Sequence, residues 1–422
     1  MSILAPAYQD IESVNVTLPD MSRLDNGIPL YALNAGTQDI IKITLLFRAG
    51  SLFQPFPVVA FSANAMLIEG TSRHSAALIS EMTDFYGSYI TCSTDKDSAT
   101  VTLLTLRKYL DEMLPLLEEV VKQPTFPEAE LRVFAGQHSR RLMVEQSKPG
   151  NIARSHFTKA LFGNGHPYGY ELQPDDFQNL TAGCLQTFHS KYYRPENCKI
   201  IVAGNVRESD ISLINRYFGD KSRQSEAMPA APEYSFSESA DYKQKIDKAD
   251  SVQSSIRMGK RVCNKTHEDY FGLTVVNTLL GGYFGSRLMR NLREDKAYTY
   301  GINSILISLQ QAGYITIVTD VGKDVTDAAL REIYTEVERL QQDTVPDGEL
   351  RTVRTRLMSD MLRSFDGPFE QAESLIALLE YDLTPDYYNR YLHCIKSIDA
   401  KEIRRLAQQY LDIQRIYEIV VG

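Results

Sequence analysis

The feature that most constrains this chain is that its second half repeats its first. A series of strand and helix patterns ends on the short apolar run CKIIVAGN at 198–205, and a second series ends on the similar IYEIVVG at 416–422. In the first half Leu110, Met113, Leu114, Leu117 and Val121 fall at i, i+3, i+4, i+7 and i+11, one apolar stripe of a helix. Ala328, Ala329, Ile333, Val337 and Leu340 form the matching stripe in the second half. The next helix starts at Thr125–Phe126–Pro127, with Glu128 and Glu130 in its first turn as the helix dipole prefers. Its counterpart carries Leu350, Val353, Leu357 and Met361. Order and spacing agree across about 210 residues, which marks an internal duplication. Such a chain has to build one architecture twice. The order of strands and helices predicts two homologous α+β domains, each a mostly antiparallel, mixed sheet with helices packed on one face. Between them the stretch KSRQSEAMPAAPEYSFSESA loses its apolar period, and it reads either as a linker or as an ordered surface loop at the same boundary. The expected division is 1–220, a connection at 221–240, and 241–422.

Within the first half, VNVTLPD, GIPLYALNA and DIIKITLLF read as antiparallel strands with turns at Gly27 and Pro29. The run VVAFSANAMLIE, up to Glu69, is a helix pattern that is apolar nearly all round and therefore buried. A second helix is predicted over about Ala76–Phe85, followed by the strands SYITCSTD and SATVTLLTL. The second half gives strands near 242–248 and 251–258, a helix at 269–280, a glycine break, a short helix, and the strand pair TYGINSILISL and GYITIVTDV.

Composition narrows the function classes. A net charge of -9 argues against a nucleic-acid surface, which needs clustered Lys and Arg. Cys92, Cys184, Cys198, Cys263 and Cys394 are odd in number, scattered and never in a CxxC pair. That pattern excludes a disulfide framework or thiolate zinc site and fits a reducing compartment. No segment approaches 18 or so uninterrupted apolar residues, and the N-terminus has no basic n-region. The expectation is a cytoplasmic chain with no membrane span.

Local chemistry is sparse. The seven histidines (His74, His138, His156, His166, His189, His267 and His393) include no pair within five residues, which removes a helix-borne HxxxH metal site. Gly281–Gly282 with Gly285–Ser286 lacks the GK[ST] ending of a phosphate loop and follows a helix rather than a strand. No GxSxG elbow occurs. Paired carboxylates such as Glu118–Glu119 read as solvated helix faces. The stretch 281–300, GGYFGSRLMRNLREDKAYTY, retains Arg287, Arg293 and Tyr300. A guanidinium and a phenol can both donate to an oxygen that gains negative charge during attack on a carbonyl. The same residues also fit a plain arginine near a helix end and a tyrosine packing at a strand start.

Three segments in order resemble one family. They are GHPYG at 165–169, FHSKYYRPENCKIIVAGNV at 188–206, and GGYFGSRLMRNLRED at 281–295. They are similar to segments of the pitrilysin, insulinase and mitochondrial processing peptidase group of zinc peptidases, and the similarity covers almost the whole chain. It implies a LuxS/processing-peptidase-like metallohydrolase fold. Active members carry an inverted zinc motif, HxxEH, in a helix that ends in a Gly-Thr pair. There zinc lowers the pKa of a bound water and the motif glutamate takes its proton. Aligned on Gly70–Thr71, this chain places Phe61 at the first histidine, Asn64 at the glutamate and Ala65 at the second histidine. Arg140 and Arg141 stand where the third ligand would fall. None of these can ligate zinc or act as the base. GSYITCST at 87–94 also departs from the family's GG-x-x-N-A-x-T, a strand that resembles an edge on which substrate lies.

The resemblance therefore implies no cofactor in this chain and zinc in a partner. Arg293 and Tyr300 match the arginine and tyrosine that serve a zinc site across a domain interface, and Gly282, Ser286 and Arg287 are the accompanying substrate-binding candidates. Some bacterial relatives divide zinc and the Arg/Tyr pair between two chains. The leading expectation is a non-catalytic subunit that encloses peptides with a zinc-bearing homologue, with a homodimer left open. Its rivals are an inactive structural or peptide-binding homologue without a peptidase partner, and a self-sufficient metallopeptidase with unusual ligands.

Overall fold

A computed structural model describes residues 18–221 and 232–422. Six strands form the first sheet: β1 (Asp20–Arg23), β2 (Pro29–Asn34), β3 (Ile40–Phe47), β4 (Tyr89–Thr94), β5 (Ala99–Leu106) and β6 (Cys198–Gly204). Their spatial order is β1-β2-β6-β3-β5-β4. Only β2 and β6 run parallel; the other neighbours are antiparallel, with Thr44 opposite Thr102 and Ile43 opposite Val202. The five strands of the second sheet are β7 (Lys243–Ile246), β8 (Gln253–Val262), β9 (Ile302–Ser308), β10 (Gly313–Gly322) and β11 (Tyr417–Val421). Their order, β7-β11-β8-β10-β9, is the order β2-β6-β3-β5-β4 repeated strand for strand. The parallel pair recurs too, as β7 with β11. Two homologous, mostly antiparallel α+β domains are therefore what the chain builds, with β4 and β9 at equivalent sheet edges.

Contacts group the chain into two compact units. One comprises Leu18–Met258, Gly367–Asp382 and Tyr417–Gly422; the other includes Gly259–Asp366 and Leu383–Ile416. The reason the first takes in a late segment lies in the periodicity of β3. Successive strand residues point to opposite faces. Phe47 stacks on Tyr193 after the helix Ala182–Tyr192, with ring centroids 4.8 Å apart. Leu46 points the other way, where with Leu33, Ile201 and Ala203 it packs against Ala372, Leu375, Ile376 and Leu379 of the helix Pro368–Leu379. Lys42–Glu373, Arg48–Asp382 and Lys199–Asp382 ion pairs close this contact. The equivalent helix of the first half, Pro149–Phe162, lies against β11. To the helical layer expected from the pattern, the structure thus adds a reciprocal exchange in which each half lends one helix to the other's sheet. Burial on both faces explains why β3 and β6 read as nearly unbroken apolar runs.

Residues 222–231 of the expected connection, and VNVTLPD up to residue 17, lie outside the described residues. Within the described part of the connection, the Ser237 and Ser239 amides donate to the carbonyls of Phe162 and Ala160 at 3.2 and 2.9 Å. No helix among the described residues is long and apolar enough to cross a membrane. None of the five cysteines is in a disulfide, and burial pushes the Cys92 thiol up to about 12.

Candidate functional site

The first half presents the helix Val59–Ala65, shorter than the apolar run predicts because Met66–Ile68 tightens into a 3₁₀ turn. Asn64 is fully buried. Its side-chain amide donates to Ser93 O at 2.6 Å, Thr94 Oγ1 at 2.8 Å and Thr100 O at 3.3 Å, which ties the helix to β4 and β5. Carbonyl acceptors on this side demand a donor, so the amide does structural work that a carboxylate there could not do. Phe61 is 38 % exposed and lies against Phe134 and His138, with centroids 5.7 and 5.0 Å away. Burial, together with the Arg141 charge, holds the His138 imidazole below its ordinary pKa. Ala65 ends the helix, and both Arg140 and Arg141 are exposed on the helix Glu128–Gln146.

An aromatic pair, an amide committed to carbonyls, a methyl group and two guanidinium groups form no donor set for zinc. Among the described residues no three His, Cys, Asp or Glu side chains converge to hold a metal.

What does persist here is the turn after the helix. Gly70 has φ +149, and a Cβ on it would stand 2.8 Å from Pro127 Cγ. Thr71 donates its hydroxyl to Glu119, which also accepts from the Arg73 amide at 3.1 Å and lies 3.0 Å from His74 Nδ1. Glu119, read from sequence as part of a solvated face with Glu118, is 4 % exposed. The helix period assigned its stripe to leucines, and nothing local signalled a turn 48 residues upstream that needs an acceptor. Burial raises its pKa, but the hydrogen bonds from Thr71, His74 and Arg73 outweigh that and hold the carboxyl below the ordinary 4.5.

In the second half, the equivalent helix Tyr270–Gly281 is buried over most of its length. Asn277 donates to Ser304 O at 3.1 Å and accepts from Ser304 Oγ at 2.6 Å, tying this helix to edge strand β9. Gly281 permits the close approach: a Cβ there would stand 2.7 Å from the Ser304 amide nitrogen. Alongside runs a groove of about 390 Å³ lined by Thr274, Asn277, Thr278, Gly282, Ser304 and Ile305.

Beyond the glycines the chain enters a π-helical turn, Met289–Asp295, where sequence alone suggests an ordinary short helix. Leu288, Met289 and Leu292 bury one side. Asn291 donates to Glu332 and Glu336 at 3.1 and 2.7 Å, and the Lys296 amide closes an i→i+5 bond to Asn291 O at 3.1 Å. Such π turns occur frequently at functional sites.

The sequence-derived site residues separate in this frame. Gly282 lines the groove. Ser286 is buried, and Arg287 gives Nε and Nη2 to the two oxygens of Glu349, both at 2.8 Å. Arg293 has its Cζ 4.6 Å from the centroid of the Phe284 ring. Tyr300 is 91 % exposed. Its backbone is pinned all the same, because Thr299 Oγ1 accepts from the Gly301 amide at 3.1 Å and from Thr319 Oγ1 at 2.9 Å, and donates to Asp320 O at 2.8 Å. Phe284 carried no sequence signal beyond its place between two glycines.

Two family models match the chain: "Insulinase (Peptidase family M16)" over residues 31–173 and "Peptidase M16 inactive domain" over 179–357. The Bacillus subtilis protein described as uncharacterized zinc protease YmxG is 24% identical over 81% of this chain and 83% of its own. Zinc protease PqqE of Helicobacter pylori is 22% identical over 92% of this chain and 89% of its own. Among solved structures, a peptidase M16 inactive domain from Pseudomonas fluorescens superposes with a TM-score of 0.88 at 23% identity, covering 96% of this chain and 98% of that one. A protease from Helicobacter pylori gives 0.87 at 19% identity, covering 96% and 100%. With both halves matched in sequence and the whole architecture shared, this chain belongs to the insulinase (M16) family of peptidases.

Proposed function

We propose that this chain is a non-catalytic subunit of a heterodimeric zinc peptidase. It pairs with a zinc-bearing homologue, helps to enclose a peptide, and supplies Arg293 and Tyr300 in trans to the partner's zinc site. The observation that carries this reading is the contrast within the chain. Positions 61, 64 and 65 hold Phe, Asn and Ala, which cannot serve as the zinc ligands and base, whereas Tyr300 stands almost fully exposed on a pinned backbone and Arg293 lies against the Phe284 ring. Donors that stand on a fixed backbone and engage no acceptor among the described residues suit an oxygen that becomes negative only during the reaction. In this reading Gly282 faces the peptide, while buried Ser286 and the Arg287–Glu349 pair hold the loop in place. The division 1–220, 221–240 and 241–422, and a reducing cytoplasmic setting supported by five unpaired cysteines, belong to the same proposal.

The test is reconstitution with the zinc-bearing homologue from the same cell. Arg293→Ala or Tyr300→Phe is expected to lower turnover by about 10²–10³, the usual cost of one preorganised donor, without dissociating the complex. Wild-type turnover in both variants would sink the in-trans role. The groove beside β9 favours a second reading, a peptide-binding homologue with no peptidase partner, since a free sheet edge can pair with an extended peptide. Co-purification from the native cell without any zinc-bearing homologue, together with peptide binding by the chain alone, would support that reading over the first.

A further inference from the structure

Arg287 and Arg293 lie on one segment and are held in opposite ways. The Arg287 fork is taken up by both oxygens of Glu349, a bidentate pair that satisfies its charge and geometry together. No carboxylate or hydrogen-bond acceptor among the described residues engages Arg293; its guanidinium lies instead over the Phe284 ring. A ring face attracts a guanidinium through its quadrupole and uses none of the five N–H donors in doing so. Both partners stand on fixed backbone. The Ser286 amide donates to Tyr283 O at 3.1 Å, closing a turn with Phe284 near its tip, and the π turn under Arg293 is tied to Glu332 and Glu336 through Asn291. Phe284 is itself 60 % exposed, so core packing does not account for it. Glu294 and Asp295 follow Arg293 directly and offer competing carboxylates. A ring that holds the guanidinium keeps it from folding back onto them.

We propose that Phe284 is the positioning residue for Arg293: it orients the guanidinium while leaving every donor free for the substrate oxygen. This rests on the in-trans reading above. In the reconstituted complex, Phe284→Leu keeps an apolar side chain but removes the quadrupole. It is expected to lower kcat about two- to fivefold, the range an exposed cation–π contact supplies, with KM unchanged. Phe284→Tyr and Phe284→Trp are expected to stay within about twofold of wild type. Phe284→Leu should add nothing in an Arg293→Ala background. In the isolated chain, the Arg293 side-chain resonances should carry a ring-current shift that Phe284→Tyr keeps and Phe284→Leu abolishes.

Outcomes separate the two ideas. A slow Arg293→Ala with a wild-type Phe284→Leu overturns the role of Phe284 and leaves the in-trans reading intact. A Phe284→Tyr variant as slow as Phe284→Leu, or unshifted Arg293 resonances in wild type, also overturns it. Arg293→Ala at wild-type turnover overturns the in-trans reading itself, and the role of Phe284 falls with it.

Discussion

The two halves solve one local problem with the same residue type and then part company. In each, a buried asparagine on the first apolar helix reaches the edge strand: Asn64 to β4 and its neighbour β5, Asn277 to β9. Behind Asn64 follows a Gly-Thr turn locked onto Glu119, while Phe61 on the same helix lies against Phe134 and His138. Behind Asn277 follows a glycine pair that lets the chain turn out into Phe284, Arg293 and Tyr300. The first half keeps the turn and the buried tie with Phe61, Asn64 and Ala65 on its helix, and the second sets Arg293 against a ring and leaves Tyr300 exposed. In the second half the tie runs through Asn277 and involves none of Phe284, Arg293 and Tyr300, whereas in the first it runs through Asn64, the position aligned with the motif glutamate.

Substitutions at the paired positions sharpen that contrast. Asn64→Asp sets a carboxylate against the Ser93 and Thr100 carbonyls, and about 3 kcal/mol or more of stability should be lost in urea unfolding. Asn277→Asp sets a carboxylate oxygen against one carbonyl, Ser304 O, instead of two and still accepts from Ser304 Oγ, so a smaller loss of about 1–3 kcal/mol is expected. Equal losses would show that the two ties are not distinct. Gly70→Ala and Gly281→Ala each force a Cβ into a neighbour, at about 1–3 kcal/mol. In the complex only Gly281→Ala should also reduce turnover, since it displaces the loop that carries Arg293.

A weaker effect concerns acid. The Glu119 carboxyl titrates lower in the fold than in the unfolded chain, so the stability it contributes is complete above about pH 4.5 and is lost as pH falls through its depressed folded value. Glu119→Gln should flatten that part of the stability–pH curve; an unchanged acid slope would show that Glu119 is not held as the geometry indicates. The smallest expected effect is none at all. EDTA should leave the melting temperature of the chain unmoved, and a drop of several degrees on chelation would restore a metal to the first half.

Much of this architecture was legible because its signals are periodic. The helix Ala76–Phe85 and the alternation of SATVTLLTL appear where the pattern puts them, and the repeated element order foretold the repeated strand order. Phe61, Asn64 and Ala65, close together in the apolar run, share one helix. What stayed hidden depends on partners distant in sequence. Glu119 looked solvated because its acceptor role is set by a turn on another segment. The π turn at Met289–Asp295 differs from an α-helix by one residue per loop of hydrogen bonds, which a short apolar pattern cannot resolve. The exchange of Pro149–Phe162 and Pro368–Leu379 was invisible because an amphipathic helix records that it has a buried face, not whose sheet covers it.

That exchange has a consequence for the chain as it is made. The last strand of the first sheet ends at Gly204, yet the helix that covers Leu46, Ile201 and Ala203 begins only at Pro368. At about 5–20 residues per second, the intervening stretch takes roughly ten to thirty seconds to emerge from a ribosome. Throughout that interval a complete apolar sheet face waits in water for a helix not yet synthesised, which makes nascent chains stalled between these points natural clients of holding chaperones.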